Sequence, residues 1–473
     1  MHKSREAQND GPRIQHVVVL MLENRSFDHM LGFLDHGGLQ PVTAEPLPNP
    51  DYPAVSNSPT HTAFALDSYD ALHFDPKHGY SDVMSQLSAT EGPWRAPYEL
   101  TNTGFAWNYH KRRGAPGSEV LGCYTPELLP ILTTLAREYA VCSRWFCSLP
   151  SETWPNRLFA HAATSDNLVR NVERRYTNRT IFEALSSAGH HWQIYCGDIP
   201  QVAAFPELYF HDGGFRFSRL DEFFQHAREG RLRGYSFIEP RHFGSAVSSQ
   251  HPLASVLLGE ELIRDVYRAL ASNDKTWSTS VLLITYDEHG GFFDREHPPS
   301  AKPPHPGRAD PDFGFRFDLL GPRVPAVVVS PYIERETVCD EVRDHTAIAA
   351  TLREFFAFEE TLTERDAAAT GIASLLVREE AREPVELPAP PEIAPAELGP
   401  ATWADGIAPD GTIQLNEFQQ QLVALAERIE REEPPPPEVA GVVPAAPPEP
   451  PFRSEAELGE FIEAFRRRHL DRI

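Results

Sequence analysis

Short apolar runs, each closed by polar or glycine residues, punctuate this chain. Residues 16–22 read H-V-V-V-L-M-L, residues 281–284 read V-L-L-I, and residues 324–330 read V-P-A-V-V-V-S. Runs that are apolar at every position predict strands buried on both faces of a largely parallel sheet. Other stretches repeat at helical spacing. Leu128, Ile131, Leu132, Leu135 and Tyr139 predict a helix after the start signal Thr125-Pro126-Glu127. Leu262, Ile263, Val266 and Leu270 mark a helix over 259–271, and Ile348, Leu352 and Phe355 mark one after Asp344-His345-Thr346. Residues 181–185 and 192–195 suggest a helix followed by a strand. Residues 141–149 lead as a strand into a polar turn, and residues 158–163 suit a helix. A strand, tight turn and helix make a natural seat for a nucleophile, because N–H groups at a helix start can hold an anion. Residues 37–97 are rich in Pro, Asn, Ser and Thr and predict a long excursion with little regular structure. Residues 201–244 are aromatic and Gly-rich, so residues 190–250 are expected to form a cap or substrate-lining insertion.

The composition shifts near residue 379. Pro-rich stretches at 384–400 and 434–451 bracket one helix. Its apolar residues, Leu415, Phe418, Leu422, Leu425 and Ile429, are spaced alternately three and four apart, a narrow seam suited to packing on another helix. A last helix starts at Ser454 with Glu457 three residues on. The pattern divides the chain into a main body, 1–378, and a Pro-rich helical extension, 379–473. The extension is expected to bind a protein partner or to mediate self-association.

Charge and cysteines narrow the function classes. The 473 residues carry 43 Lys and Arg against 68 Asp and Glu, a formal charge of −25. Such a surface argues against nucleic acid as partner and against docking on anionic lipid. It leaves room for an anionic substrate, since a bound cation inverts the local field. Five cysteines without a C-x-x-C argue against a disulfide framework or a thiolate zinc site. No apolar run is long enough to span a bilayer, and residues 1–13 lack the apolar centre of a signal peptide. The sequence therefore suggests a cytoplasmic protein, or one exported without a cleaved signal.

Three strand ends carry ligand-type residues. Glu23 and Asn24 follow the first run, Thr153 lies in the turn after 141–149, and Asp287 and Glu288 follow 281–284. In open α/β sheets, ligands gather at the carboxyl ends of strands. The set is rich in oxygen and free of thiolate, which suits a hard or borderline divalent cation: Ca, Mg, Mn, Fe or Zn.

These motifs have a known setting. E-N-R-S-F-D after a strand, T-W-P-N-R, H-P before a G-E-E-L-I helix, Y-D-E-H-G-G-F-F-D, and R-V-P-A-V-V-V-S-P followed by D-H-T resemble the bacterial phosphoesterases. That group includes the non-zinc phospholipases C and a related acid phosphatase, within the alkaline phosphatase/sulfatase superfamily. The resemblance spans residues 15–358 and implies an alkaline phosphatase-like α/β sandwich, a central mostly parallel sheet flanked by helices. By that resemblance Glu23, Asn24, Asp287 and Glu288 match the ligands of one divalent metal ion. Thr153 matches the nucleophile, whose oxygen also lies on the metal. His251 matches a histidine that holds the phosphate or protonates the leaving group, His78 matches another, and Arg157 matches a brace for the nucleophile turn. The late pair Asp344 and His345 recurs without an assigned role, and His289 reads as a partner behind the ligands.

The expected chemistry is a two-step displacement through a phosphothreonine, on phosphodiesters as in a phospholipase C. The alternatives are an acid phosphatase acting on soluble phosphomonoesters, and an inactive interaction protein on the same fold. Sulfatase chemistry is unexpected, because threonine cannot yield the aldehyde that a Cys or Ser gives there. The aromatics of 192–224 are either a choline cage or plain core, with core favoured.

Overall fold

A computed structural model describes residues 13–69, 72–211, 214–389, 391, 412–413, 415–432 and 450–470. Most of the two Pro-rich stretches and residues 1–12 lie outside the described residues. Eight strands form the central sheet: β1 (His16–Leu22), β2 (Ala140–Cys142), β3 (Trp192–Cys196), β4 (Phe217–Arg219), β5 (Tyr235–Glu239), β6 (Ser280–Tyr286), β7 (Ala326–Val329) and β8 (Thr337–Cys339). Their spatial order is β4-β3-β5-β1-β6-β7-β2-β8. β7 runs antiparallel to both neighbours and every other pairing is parallel.

The apolar runs lie where their composition requires. All of β6 and all but the first residue of β1 are buried, and the two pair along their full length, Val17 against Val281 through Leu22 against Tyr286. β5 flanks β1 on the other side, Leu20 against Ile238. The carboxyl ends of three adjacent strands therefore meet, and the residues beyond Leu22 and Tyr286 are Glu23 and Asp287.

The structure departs from three expectations. Residues 190–250 are not a cap: β3, β4 and β5 lie within them and supply three of the eight central strands. Their aromatics, including Trp192, Tyr195, Phe205, Tyr209, Phe217 and Phe223, are buried in the main core, so they are core and not a choline cage. The helix expected from Thr125 begins instead at Pro130, because Leu128 and Leu129 turn back to the Thr125 carbonyl. Residues 37–97 contain a buried helix, Tyr80–Ser88, which carries Val83, Met84 and Leu87 into a second apolar cluster. The seam of the helix Glu417–Glu432 is occupied within the chain. Phe418, Leu422, Leu425 and Ile429 join the main core, and Gln419 Nε2 donates to the His242 carbonyl at 2.8 Å. Among the described residues, no helix is long and apolar enough to cross a membrane.

Candidate functional site

The strand-end loops converge as the register demands. Asn24 adopts φ 54°, a left-handed conformation that Asn tolerates better than most residues. This turns its backbone N–H onto Asp287 Oδ1 at 3.0 Å. Asp287 Oδ1 also accepts from the Glu288 N–H at 2.7 Å. Gly290, at φ +66°, presses against Asn24, where an added Cβ would meet the Asn24 carbonyl oxygen at 2.1 Å. The Gly-Gly turn thus lets the two ligand-type loops touch.

Thr153 opens the helix Thr153–Ala162, and its Oγ1 donates to Asn24 Oδ1 at 3.3 Å. The turn is held by Asn171, whose Oδ1 accepts from the Trp154 N–H while its own N–H donates to Glu152. Most of the expected cradle of helix N–H groups is therefore spent. Trp154 N–H is engaged, Pro155 has none, and Asn156 N–H turns to the Glu152 carbonyl.

Arg157, one turn into this helix, is completely buried. Its guanidinium faces three carboxylates: Glu23, Asp287 at 3.0 Å and Glu239 at 3.3 Å. Sequence reasoning missed Glu239, the last residue of β5. The signal was a five-residue strand, Y-S-F-I-E, bracketed by Gly234 and Pro240 but hidden in an aromatic stretch. Glu239 also accepts from the Gln201 and Val202 N–H groups, both at 3.1 Å. Burial alone would raise its pKa, but His242, Arg157 and these surroundings hold it at about 2.

That balance makes a pH prediction. A carboxyl whose folded pKa lies below its unfolded value of 4.5 stabilises the fold fully above that pH, and this contribution fades as the pH drops towards 2. The shift corresponds to about 3 kcal/mol. Glu239→Gln should therefore lose stability of that order at pH 7, by urea unfolding, with the gap to the parent narrowing below pH 4.5. A gap independent of pH would contradict the assignment.

The remaining expected residues gather around this centre. Glu288 Oε2 accepts from the Gly290 N–H at 2.7 Å, and Glu288 Oε1 lies 3.8 Å from His78 Nε2. His78 Nε2 is also 3.4 Å from Asn24 Nδ2. Burial would lower the His78 pKa, but Glu288, Asp75 and Glu152 outweigh it and raise it to about 9. The His251 carbonyl accepts from Arg25 Nη2 at 3.3 Å, and the charges of Asp75 and His78 act on its ring. Its Nδ1–H donates to the Pro252 carbonyl at 3.0 Å, which leaves Nε2 as the acceptor nitrogen. Burial keeps His251 below its ordinary pKa. His289 stands behind Glu288, donating from Nε2 to Gln86 at 2.8 Å. His345 Nε2 donates to the Asp287 carbonyl at 2.6 Å, while Asp344 is tied to Arg365 and Thr346. The late Asp-His pair thus braces the strand end from behind.

Glu23 Oε2 and Glu288 Oε1 are buried without a hydrogen-bond partner. Such an atom is costly unless something positive meets it. Burial pushes the Glu23 carboxyl well above the usual range, against Arg157, and neighbouring Asp287 adds to the rise. Two carboxylate oxygens without a hydrogen bond, one of them 3.8 Å from His78 Nε2, together with an amide oxygen and a hydroxyl, are a hard donor set that suits a divalent cation. Among the described residues, no group of three or more His, Cys, Asp or Glu stands as a ready metal cage. Here Arg157 occupies Glu23 and Asp287, His78 faces Glu288, and the other two contributors, Asn24 and Thr153, are neutral.

Residues 14–359 match the Phosphoesterase family model. Non-specific phospholipase C3 of Arabidopsis thaliana is 33% identical over 451 residues, covering 87% of this chain and 82% of that protein. Non-specific phospholipase C6 of the same plant is 35% identical over 438 residues, covering 87% and 80%. Phospholipase C B of Mycobacterium tuberculosis is 30% identical over 395 residues, covering 72% and 73%. The similarity is thus to plant proteins as well as bacterial ones.

Proposed function

The chain belongs to the phosphoesterase family and is a hydrolase of phosphate ester bonds, and from that premise we propose that it is a metal-dependent phospholipase C working through Thr153. The observation that carries this reading is Thr153 Oγ1 at 3.3 Å from Asn24 Oδ1, beside two buried carboxylate oxygens without partners. Glu23, Asn24, Asp287, Glu288 and Thr153 would hold one divalent cation. When bound, such an ion lowers the pKa of a ligating hydroxyl and offsets charge on the phosphoryl oxygens.

The chain's own groups then divide the work. The Thr153 hydroxyl releases its proton to water, its Oγ1 forms the new bond to phosphorus, and the bond from phosphorus to the leaving alkoxide breaks. His78, the imidazole that Glu288, Asp75 and Glu152 hold protonated, gives its proton to that alkoxide, whereas His251 presents an acceptor nitrogen. Water next attacks phosphorus, the bond to Thr153 Oγ1 breaks, and the hydroxyl regains its proton. A phosphodiester thus leaves as an alcohol and a phosphomonoester. Arg157 holds the helix that presents Thr153 against the strand ends bearing Glu23 and Asp287. The relatives' names supply the support for phospholipid as the diester.

Metal analysis of the purified protein, with turnover of phosphatidylcholine and an aryl phosphate monoester before and after chelation, tests this. The expected result is about one divalent ion per chain, loss of turnover by at least ~10²-fold on chelation with recovery on add-back, and preference for the diester. Undiminished turnover after complete metal removal would overturn the metal assignment. Preference for the monoester would overturn the phospholipase assignment.

A further inference from the structure

Cys142 and Cys339 play no part in the site described. They are register partners at the ends of parallel strands β2 and β8. Partner residues on parallel strands point to one face, and neighbouring strands lie about 4.8 Å apart. That spacing falls in the range that a disulfide bridges without backbone movement. β8 is the edge strand of the sheet, and Cys339 keeps 6% of its surface exposed.

The surroundings polarise the pair. The Arg343 guanidinium, itself buried, places Nη1 2.6 Å from the Cys339 sulfur. The Cys142 thiol, together with Arg343 and the Glu341 backbone, holds the Cys339 thiol down to about 6 despite burial. Cys142 is pushed well above the usual thiol range by its bond to Cys339 and by burial. One sulfur is thus a thiolate and its neighbour a thiol. Burial raises Cys123 and Cys147 well above that range and leaves them inert.

We propose that Cys339 and Cys142 form a peroxide-responsive thiol pair that closes to a reversible disulfide and locks edge strand β8 to β2. In the first step the Cys339 thiolate attacks hydrogen peroxide, the O–O bond breaks, and a sulfenic acid and hydroxide form. In the second, the Cys142 sulfur attacks the Cys339 sulfur, the S–O bond breaks, and water leaves with the thiol proton. The two sulfurs together lose two electrons to peroxide, and a dithiol reductant restores them.

The test uses the full chain, reduced and then treated with stoichiometric hydrogen peroxide under native conditions. Thiols are counted in denaturant and the peptides mapped by mass spectrometry. The five thiols of the chain should fall to three, with Cys142 and Cys339 in one linked peptide, and dithiothreitol should restore five. In Cys142→Ser, a 1,3-dione reagent should label Cys339 as sulfenic acid. The wild-type peptide map stands even if that variant fails to fold. Five thiols surviving a treatment that oxidises free glutathione in the same tube would overturn the proposal. So would a disulfide that uses Cys123, Cys147 or Cys196, or one that joins two chains.

Discussion

Thr153→Ala should lower phosphodiesterase turnover by roughly 10³-fold or more while leaving the fold intact. Thr153 Oγ1 has one hydrogen-bond acceptor, Asn24 Oδ1, and its helix start is held by the Asn171 and Glu152 contacts rather than by the hydroxyl. Removing the hydroxyl therefore deletes the attacking atom without unseating the turn. Thr153→Ser keeps the oxygen and should retain measurable turnover. Steady-state kinetics on phosphatidylcholine, with circular dichroism to verify folding, checks this. An alanine variant as fast as the parent would show that another group attacks phosphorus.

Arg157→Met should have the largest effect on stability. The guanidinium is the shared partner of Glu23, Asp287 and Glu239, all fully buried. Its removal leaves three carboxylates facing one another in a low dielectric. Breaking one buried pair by deleting one partner typically costs about 3–5 kcal/mol, so the variant should unfold at much lower denaturant or fail to accumulate as folded protein. Arg157→Lys restores the charge but not the planar fork that reaches three acceptors, and should fall between. Denaturant midpoints of the parent and both variants check the order. A methionine variant with the parent's midpoint would mean that the three carboxylates are neutral or otherwise satisfied.

The residues that could be read from sequence are those on long apolar strands. β1 and β6 announce themselves by continuous β-branched runs, so the residues just past them, Glu23, Asn24, Asp287 and Glu288, were legible as one strand-end cluster. Glu239 was not, because β5 is only five residues long and lies among aromatics that read as an insertion. β8 is three residues long, too short for periodicity to separate from loop, and the strand read over 141–149 is β2, which already ends at Cys142. The C-terminal helix was legible as a seam, but the seam's partner was not. Spacing says that Leu422 and Leu425 need a face to bury against; only tertiary structure says that the face is their own chain. Most of the anion cradle is spent for a local reason, since Asn171, 17 residues on, takes the Trp154 N–H.

The phosphothreonine is the most direct test of the account. Enzyme turning over phosphatidylcholine can be quenched in acid within milliseconds and its peptides mapped by mass spectrometry. One phosphoryl group, carrying the choline ester, should be found on Thr153 and on no other residue. A phosphoryl group on a histidine or another hydroxyl, or a single-step transfer to water with inversion at phosphorus and no labelled peptide, would contradict it.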